Sequence, residues 1–295
     1  MVSVGRVRYR SGGRARPTAE ERTPVVDEQR FRFDVLERLR AEPRTSVELV
    51  EEIAAALQPV VGLAYHDNGD GGPVPLGASK TGGLPHVAAG FVWPTEEDTD
   101  EPLALVCQIN LAEAAAAAPG RLPATGMLYL FSIADGDRAY GYEIDDETTA
   151  LVHDPAPGPL AVAEAPAELA ALDAILPECA LRVGPSFGCQ DPQPADGRPE
   201  AQRFDYDVEQ AIERAIEAAG GVAEGVGRML GDANLFRAEM AECYDPARQV
   251  LLVSLDGYSL AREAFGEGQF HVLVDRDALA AGDLAKAEIL FEPGT

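Results

Sequence analysis

Lys80, His86, Trp93 and Gln108 are the residues whose types and spacing come nearest to chemistry in this chain. They lie in two neighbouring stretches, SKTGGLPHVAAGFVWP and PLALVCQINLAEAAAA. Gly82-Gly83 frees the backbone there, Pro85 and Pro94 stiffen its ends, and the lysine, imidazole and indole would line a shallow pocket. With a nearby carboxylate, Lys80, His86 and Gln108 would also suit acid–base work. A purely structural reading outweighs both: glycines for a tight turn, with Phe91 and Trp93 plugging a sheet, since a lone Trp packs more often than it recognises. Asn110 is explained as a helix N-cap. Gln108 is harder to dismiss, because an amide among apolar strand neighbours demands partners.

Established catalytic and cofactor patterns do not fit. Gly72–Thr81 has a passing likeness to a phosphate loop, but Lys80 does not directly follow Gly77, and Pro73 and Pro75 remove amides that would cradle phosphate. The glycines of residues 220–227 follow a helix rather than a strand, unlike a dinucleotide fingerprint. His66, His86, His153 and His271 are scattered without metal-ligand spacing, so neither a metal nor a cofactor is expected. Asp67–Gly71 and Glu96–Glu101 lack the loop length and terminal Glu of an EF-hand and read as solvated turns.

The 295 residues carry a formal net charge of -26. Residues 1–22 hold six Arg and two Glu, so the rest has 18 basic against 48 acidic residues, a net of -30. Such a body repels phosphate backbones and anionic lipid, which argues against nucleic acid and membrane surfaces and fits solubility, a cationic partner or a divalent ion. No apolar run approaches the ~20 residues of a membrane span, and the N-terminus lacks the apolar stretch of a secretory signal. Cys107, Cys179, Cys189 and Cys243 form no C-x-x-C pair and read as reduced thiols in a cytoplasmic protein.

The elements that must position these residues follow from periodicity. Residues 1–24 read as a disordered arginine-containing arm. A helix is predicted over Glu28–Arg40 and a second from the capping box Thr45–Glu48 to about Val61. A Gly/Pro loop leads to a strand at Leu103–Ile109, a short helix capped by Asn110 and a strand at Met127–Ser132. Residues 154–205 read as a Pro/Ala-rich excursion with little regular structure. A helix at Tyr206–Ala219 stops at Gly220-Gly221. Strand, helix, strand, short helix and strand then run from Val250 to Phe291.

The last segment repeats the first. Leu103–Leu111 aligns with Leu251–Ser259, and Gly126–Leu130 with Gly268–Val272, as two pseudo-repeats over about 77–150 and 227–291. The fold class expected is α+β: one domain over 25–295 with an internally duplicated strand–helix–strand unit, a mainly antiparallel or mixed sheet, and N-terminal helices.

Lys80–Pro85 (K-x-G-G-L-P), Phe91–Pro94 (F-x-W-P), Gln108–Leu111 (Q-I-N-L) and Gly126–Phe131 (G-x-L-Y-x-F) together resemble the YwqG family, the DUF1963 domain of bacteria. The C-terminal LLVSLD and GQFHVLVDRDALAAGDLAKAEILFE are similar to that family's final segment, so the resemblance covers about residues 45–291. It implies a compact, internally duplicated α+β fold and brings no established activity. Where the family usually has His-x-x-x-Gly-Tyr-Pro and a Gln in its second strand, this chain has Gly227–Asp232 and Ser254, which makes it a divergent member. The expected role is a non-enzymatic binding or protein-interaction module for a protein partner or small ligand. The alternative is an enzyme of unfamiliar type acting on a small molecule around Lys80 and Gln108.

Overall fold

The computed structural model describes residues 27–43, 45–66, 73–134, 144–145, 147–171, 174–189, 204, 206–233, 235 and 237–294. The arginine arm and Asp67–Gly71 lie outside them. The described chain joins helices to a ten-stranded sheet in which every recorded pairing is antiparallel, an α+β arrangement. No described helix is long and apolar enough to cross a membrane.

Helix α1 (Glu28–Ala41) starts at Asp27, whose carboxylate accepts from Arg30 N–H, and buries Phe31, Val35 and Leu39. Helix α2 (Val47–Ala56) is capped by Ser46 on Leu49 N–H, as the capping box predicts, but stops well short of Val61. Residues Leu57–Tyr65 form strand β1 instead. The expected helix overruns because Pro59 and the β-branched Val60-Val61 favour extended backbone.

Two short strands follow, β2 (Lys80–Thr81) and β3 (His86–Ala88). Next come β4 (Ala104–Asn110), α3 (Leu111–Ala117), β5 (Met127–Ser132), β6 (Thr149–Asp154), β7 (Leu160–Val162) and α4 (Ala167–Ala171). Strand β8 (Cys179–Cys189) is the main correction to the sequence reading, because the supposed excursion supplies an eleven-residue strand at the middle of the sheet. The remaining elements are α5 (Tyr206–Ala218), β9 (Gly227–Met229), α6 (Ala238–Ala241), β10 (Gln249–Asp256), α7 (Gly257–Phe265, kinked at Ala261), β11 (Gln269–Asp275), α8 (Arg276–Ala281) and β12 (Glu288–Glu292).

The strand order is β12-β11-β10-β9-β1-β8-β2-β4-β5-β6, and β6 approaches β12, so the sheet curls until its ends nearly meet. Strands β3 and β7 form a separate two-stranded ribbon. At the centre Gly62 of β1 faces Gly184 of β8. A Cβ on Gly62 would stand 2.0 Å from the Val222 carbonyl oxygen, and one on Gly184 2.6 Å from the Val222 side chain. These glycines let the 221–226 segment lie flat against the sheet.

The larger core gathers β4, β5, β10 and β11 around Phe131, Leu105, Leu252, Phe270 and Val272. A second core packs α1, α2 and α5 on β8, with Phe31 stacked on Phe187 at 5.2 Å. Arg32 completes that contact by lying over the Phe187 ring at 5.7 Å and donating to the carbonyls of Ala54 and Leu57. Full burial of Val35, Leu39 and Ile53 stabilises the helix layer by about 1.5–3 kcal/mol per side chain.

Candidate functional site

Strand β2 is the shortest strand of the main sheet. It lies between β4 and β8, so that Lys80 is opposite both Gln108 and Ala180. Its surroundings are built by Gln108 and Asn110 from β4, which reach across to the loop that precedes and follows β2.

Gln108 is fully buried and holds three groups together. Its Oε1 accepts from His86 N–H at 2.8 Å, and its Nε2 donates to the Ala78 carbonyl at 2.7 Å while lying 3.0 Å from His86 Nδ1. His86 Nδ1 accepts from Gly77 N–H at 3.0 Å, which assigns the imidazole proton to Nε2. Burial, and secondarily the Lys80 charge, lowers the His86 pKa and keeps the ring neutral. Asn110 donates to the Gly77 carbonyl at 2.9 Å while its Oδ1 accepts from Ala112 N–H, so the predicted cap of α3 also ties down the loop. Tyr129 of β5 donates to the His86 carbonyl at 2.7 Å. Gln108 and Tyr129 thus occupy the outer N–H and C=O of His86 as a neighbouring strand would.

Lys80 is buried, and its ammonium reaches the carbonyl oxygens of Gly82 at 3.1 Å and Leu84 at 2.6 Å and Glu178 Oε1 at 2.6 Å. Three acceptors match its three N–H donors, leaving none for a substrate. Burial lowers its pKa from the ordinary 10.5, against the pull of Glu178. The neighbouring Cys107 thiol is pushed up to about 12 by burial, so it is not a thiolate at neutral pH.

Lys80, His86 and Gln108 therefore do come together, but as a staple in which the Lys80 ammonium and the Gln108 amide are occupied internally. Trp93 stands apart from them, half-buried. Its Nε1 donates to the Leu103 carbonyl at 2.8 Å, and its ring meets Phe131 edge-on at 5.8 Å and Phe91 at 6.1 Å. Phe91 in turn lies 6.1 Å from Tyr129, which links the aromatic cluster to the staple. Glu178, Tyr129 and Ser79, whose Oγ accepts from Asn110 N–H at 2.9 Å, are partners that sequence reasoning missed. Tyr129 stood in the G-x-L-Y-x-F motif, whereas Glu178 sat in a segment read as irregular and gave no signal.

An open groove of about 570 Å³ runs beside this cluster, lined chiefly by Val87, Phe91, Trp93, Pro159, Val162 and Pro166. The β3–β7 ribbon forms its wall, and the staple fixes β3.

Substituting Lys80 by Met should cost about 3 kcal/mol, since it orphans two loop carbonyls and the Glu178 pairing. The sign of the pH dependence follows from the lowered pKa. Between the folded-state pKa and 10.5 the unfolded chain binds more protons, so wild-type stability rises with pH through that window, and the variant lacks this rise. Urea titrations from pH 7 into that window test both statements; unchanged stability or an identical pH slope would refute them.

None of the curated proteins matches this chain. A family model described as a domain of unknown function (DUF1963) matches residues 79–288, from Ser79 just before β2 through β4 and β8 to the first residue of β12. That span covers well over half of the sequence and includes Lys80, His86, Gln108, Tyr129 and Glu178: the chain belongs to the DUF1963 family.

Proposed function

We propose that this chain is a non-enzymatic binding module of the cytosol whose contact surface is the groove between the β3–β7 ribbon and the Phe91–Trp93 cluster. The observation that carries this reading is the contrast in availability. The polar atoms suited to acid–base work are occupied internally at Lys80 and Gln108, whereas Val92 and Val162 beside the groove are 82% and 55% exposed. Such apolar exposure around a concave surface marks an interaction site more often than it occurs by chance. A reduced compartment suits the cysteines, which no disulfide joins.

The same reading includes an internal duplication and limits it to one such surface. The strand order has matching neighbours on either side of β1–β8, bulges interrupt β4 at Val106 and β10 at Leu252, and Asp256 accepts from Ser259 N–H much as Asn110 accepts from Ala112. These features support pairing Asn110 with Asp256, in place of Tyr258 in the sequence alignment. Gln108 then corresponds to Ser254, which faces Arg228 as Gln108 faces Lys80. A serine is too short to reproduce the two-ended amide staple, and among the described residues the second unit has no equivalent ribbon.

Selection of a displayed library of random peptides on the immobilised chain tests this reading. Clones should be enriched whose binding drops at least tenfold in Val162→Asp, while that exposed substitution changes stability by no more than about 0.5 kcal/mol. Enrichment only of clones indifferent to Val162→Asp, or no enrichment at all, would sink it.

A further inference from the structure

The free edge of the β3–β7 ribbon says what kind of ligand the groove takes, given the binding reading above. Ala163 N–H donates to the Pro85 carbonyl at 2.9 Å, and His86 faces Val162 in the register. In an antiparallel ribbon this alternation turns the N–H and C=O of Leu160 and Val162 away from β3. The outward groups of His86 on the other strand are held by Gln108 and Tyr129. Those of β7 face a side along which no described strand lies. An open edge beside an apolar groove is the geometry in which an extended peptide adds as a further strand, its alternate side chains entering the groove.

Charge identifies the peptide. The segments that build this region contain no Lys or Arg from residue 81 to 120, nor from residue 139 to 181. Glu164 lines the groove itself, and Glu168 is exposed just beyond Pro166. On the Trp93 side, Thr95 and Pro102 close a hairpin that exposes Glu97, Asp98, Asp100 and Glu101. An apolar floor between acidic rims matches a strand whose residues alternate between apolar and basic. We infer that β7 captures an extended segment of a partner protein with alternating apolar and basic side chains, through main-chain hydrogen bonds at Val162, apolar side chains against Phe91 and Trp93, and basic ones against the acidic rims.

The test uses the full chain and three labelled, end-capped synthetic peptides in which Val alternates with Arg, with Thr or with Glu. Fluorescence anisotropy should rank Arg above Thr above Glu, with Arg-peptide affinity falling severalfold as salt is raised. Val162→Pro removes one outward N–H and leaves the inward bonds of Ala161 and Ala163 in place, and should weaken the Arg peptide about tenfold. The Arg peptide N-methylated at alternate residues, which cannot pair with an edge, should lose binding to the unaltered chain, so the result stands even if the proline variant unfolds. Groove-dependent binding, lost in Val162→Asp, that ignores peptide charge or N-methylation would overturn this inference and leave the binding-module reading intact. Binding of every peptide unaffected by Val162→Asp would overturn both, whereas no binding of any of the three would overturn this inference alone. Self-association of the chain abolished by Val162→Pro would assign the edge to a second copy and overturn the partner.

Discussion

Gly82→Ala is expected to be the most damaging small substitution in the stapled loop, with a loss of about 4 kcal/mol or failure to fold. Gly82 has φ of +57°, and an added Cβ would stand 2.1 Å from the Pro177 carbonyl oxygen and 2.9 Å from that of Leu176. Neither oxygen can swing aside, because both belong to the backbone leading into β8. The Leu176 carbonyl already accepts from Gly83 N–H at 2.8 Å, and Gly82 N–H donates to the Val106 carbonyl at 3.0 Å. Relieving the clash would break the bonds that align the loop with both neighbours. Gly90→Ala is the control: φ there is +88°, but nothing lies within 4 Å of the point an added methyl would occupy. It should lose only the backbone strain, about 1–2 kcal/mol. Equal losses in the two variants by urea unfolding would show that the contact with Pro177 does not matter.

Gln108→Leu should cost about as much as the loss of the Lys80 ammonium, lowering stability by about 3 kcal/mol and Tm by about 6–12 °C. Leucine fills most of the volume but leaves His86 N–H and the Ala78 carbonyl without their partners in a site closed to water. Each orphaned group carries a desolvation penalty of about 1–3 kcal/mol. Gln108→Glu separates the two ends of the amide. It retains an acceptor for His86 N–H, loses the donor to Ala78 and buries a charge, so it should be no better than Leu at neutral pH and recover toward acid as the carboxyl protonates. Differential scanning calorimetry across pH reads both effects. A Tm for Gln108→Leu within error of wild type would mean that the amide does not staple the loop.

Lys80, His86 and Gln108 were legible as a group because they sit close in a punctuated stretch, and the sequence argument that a mid-strand amide needs partners was sufficient to single out Gln108. What they do was not legible. Their partners come from far along the chain, Glu178 from 98 residues beyond Lys80 and Tyr129 from 43 beyond His86. Nothing in local spacing distinguishes a lysine awaiting a substrate from one whose donors are already occupied. The groove was even less accessible, since Trp93 and Val162 come to line one groove only when β3 and β7 pair.

Local physics settled the elements whose signals are local. Helices Glu28–Ala41 and Tyr206–Ala218, strand Met127–Ser132 and the Asn110 cap follow from apolar spacing and capping chemistry within a few residues. Family membership was equally readable, because its motifs are short and contiguous. Tertiary structure alone decided β1 and β8, which meet at the centre of the sheet. Both carry a proline and a glycine that weaken any strand judged in isolation, Pro59 and Gly62 in one, and Gly184 and Pro185 in the other. Those small residues become favourable only once Val222 must lie against them, a requirement set by a segment far along the chain and visible only when it has folded back.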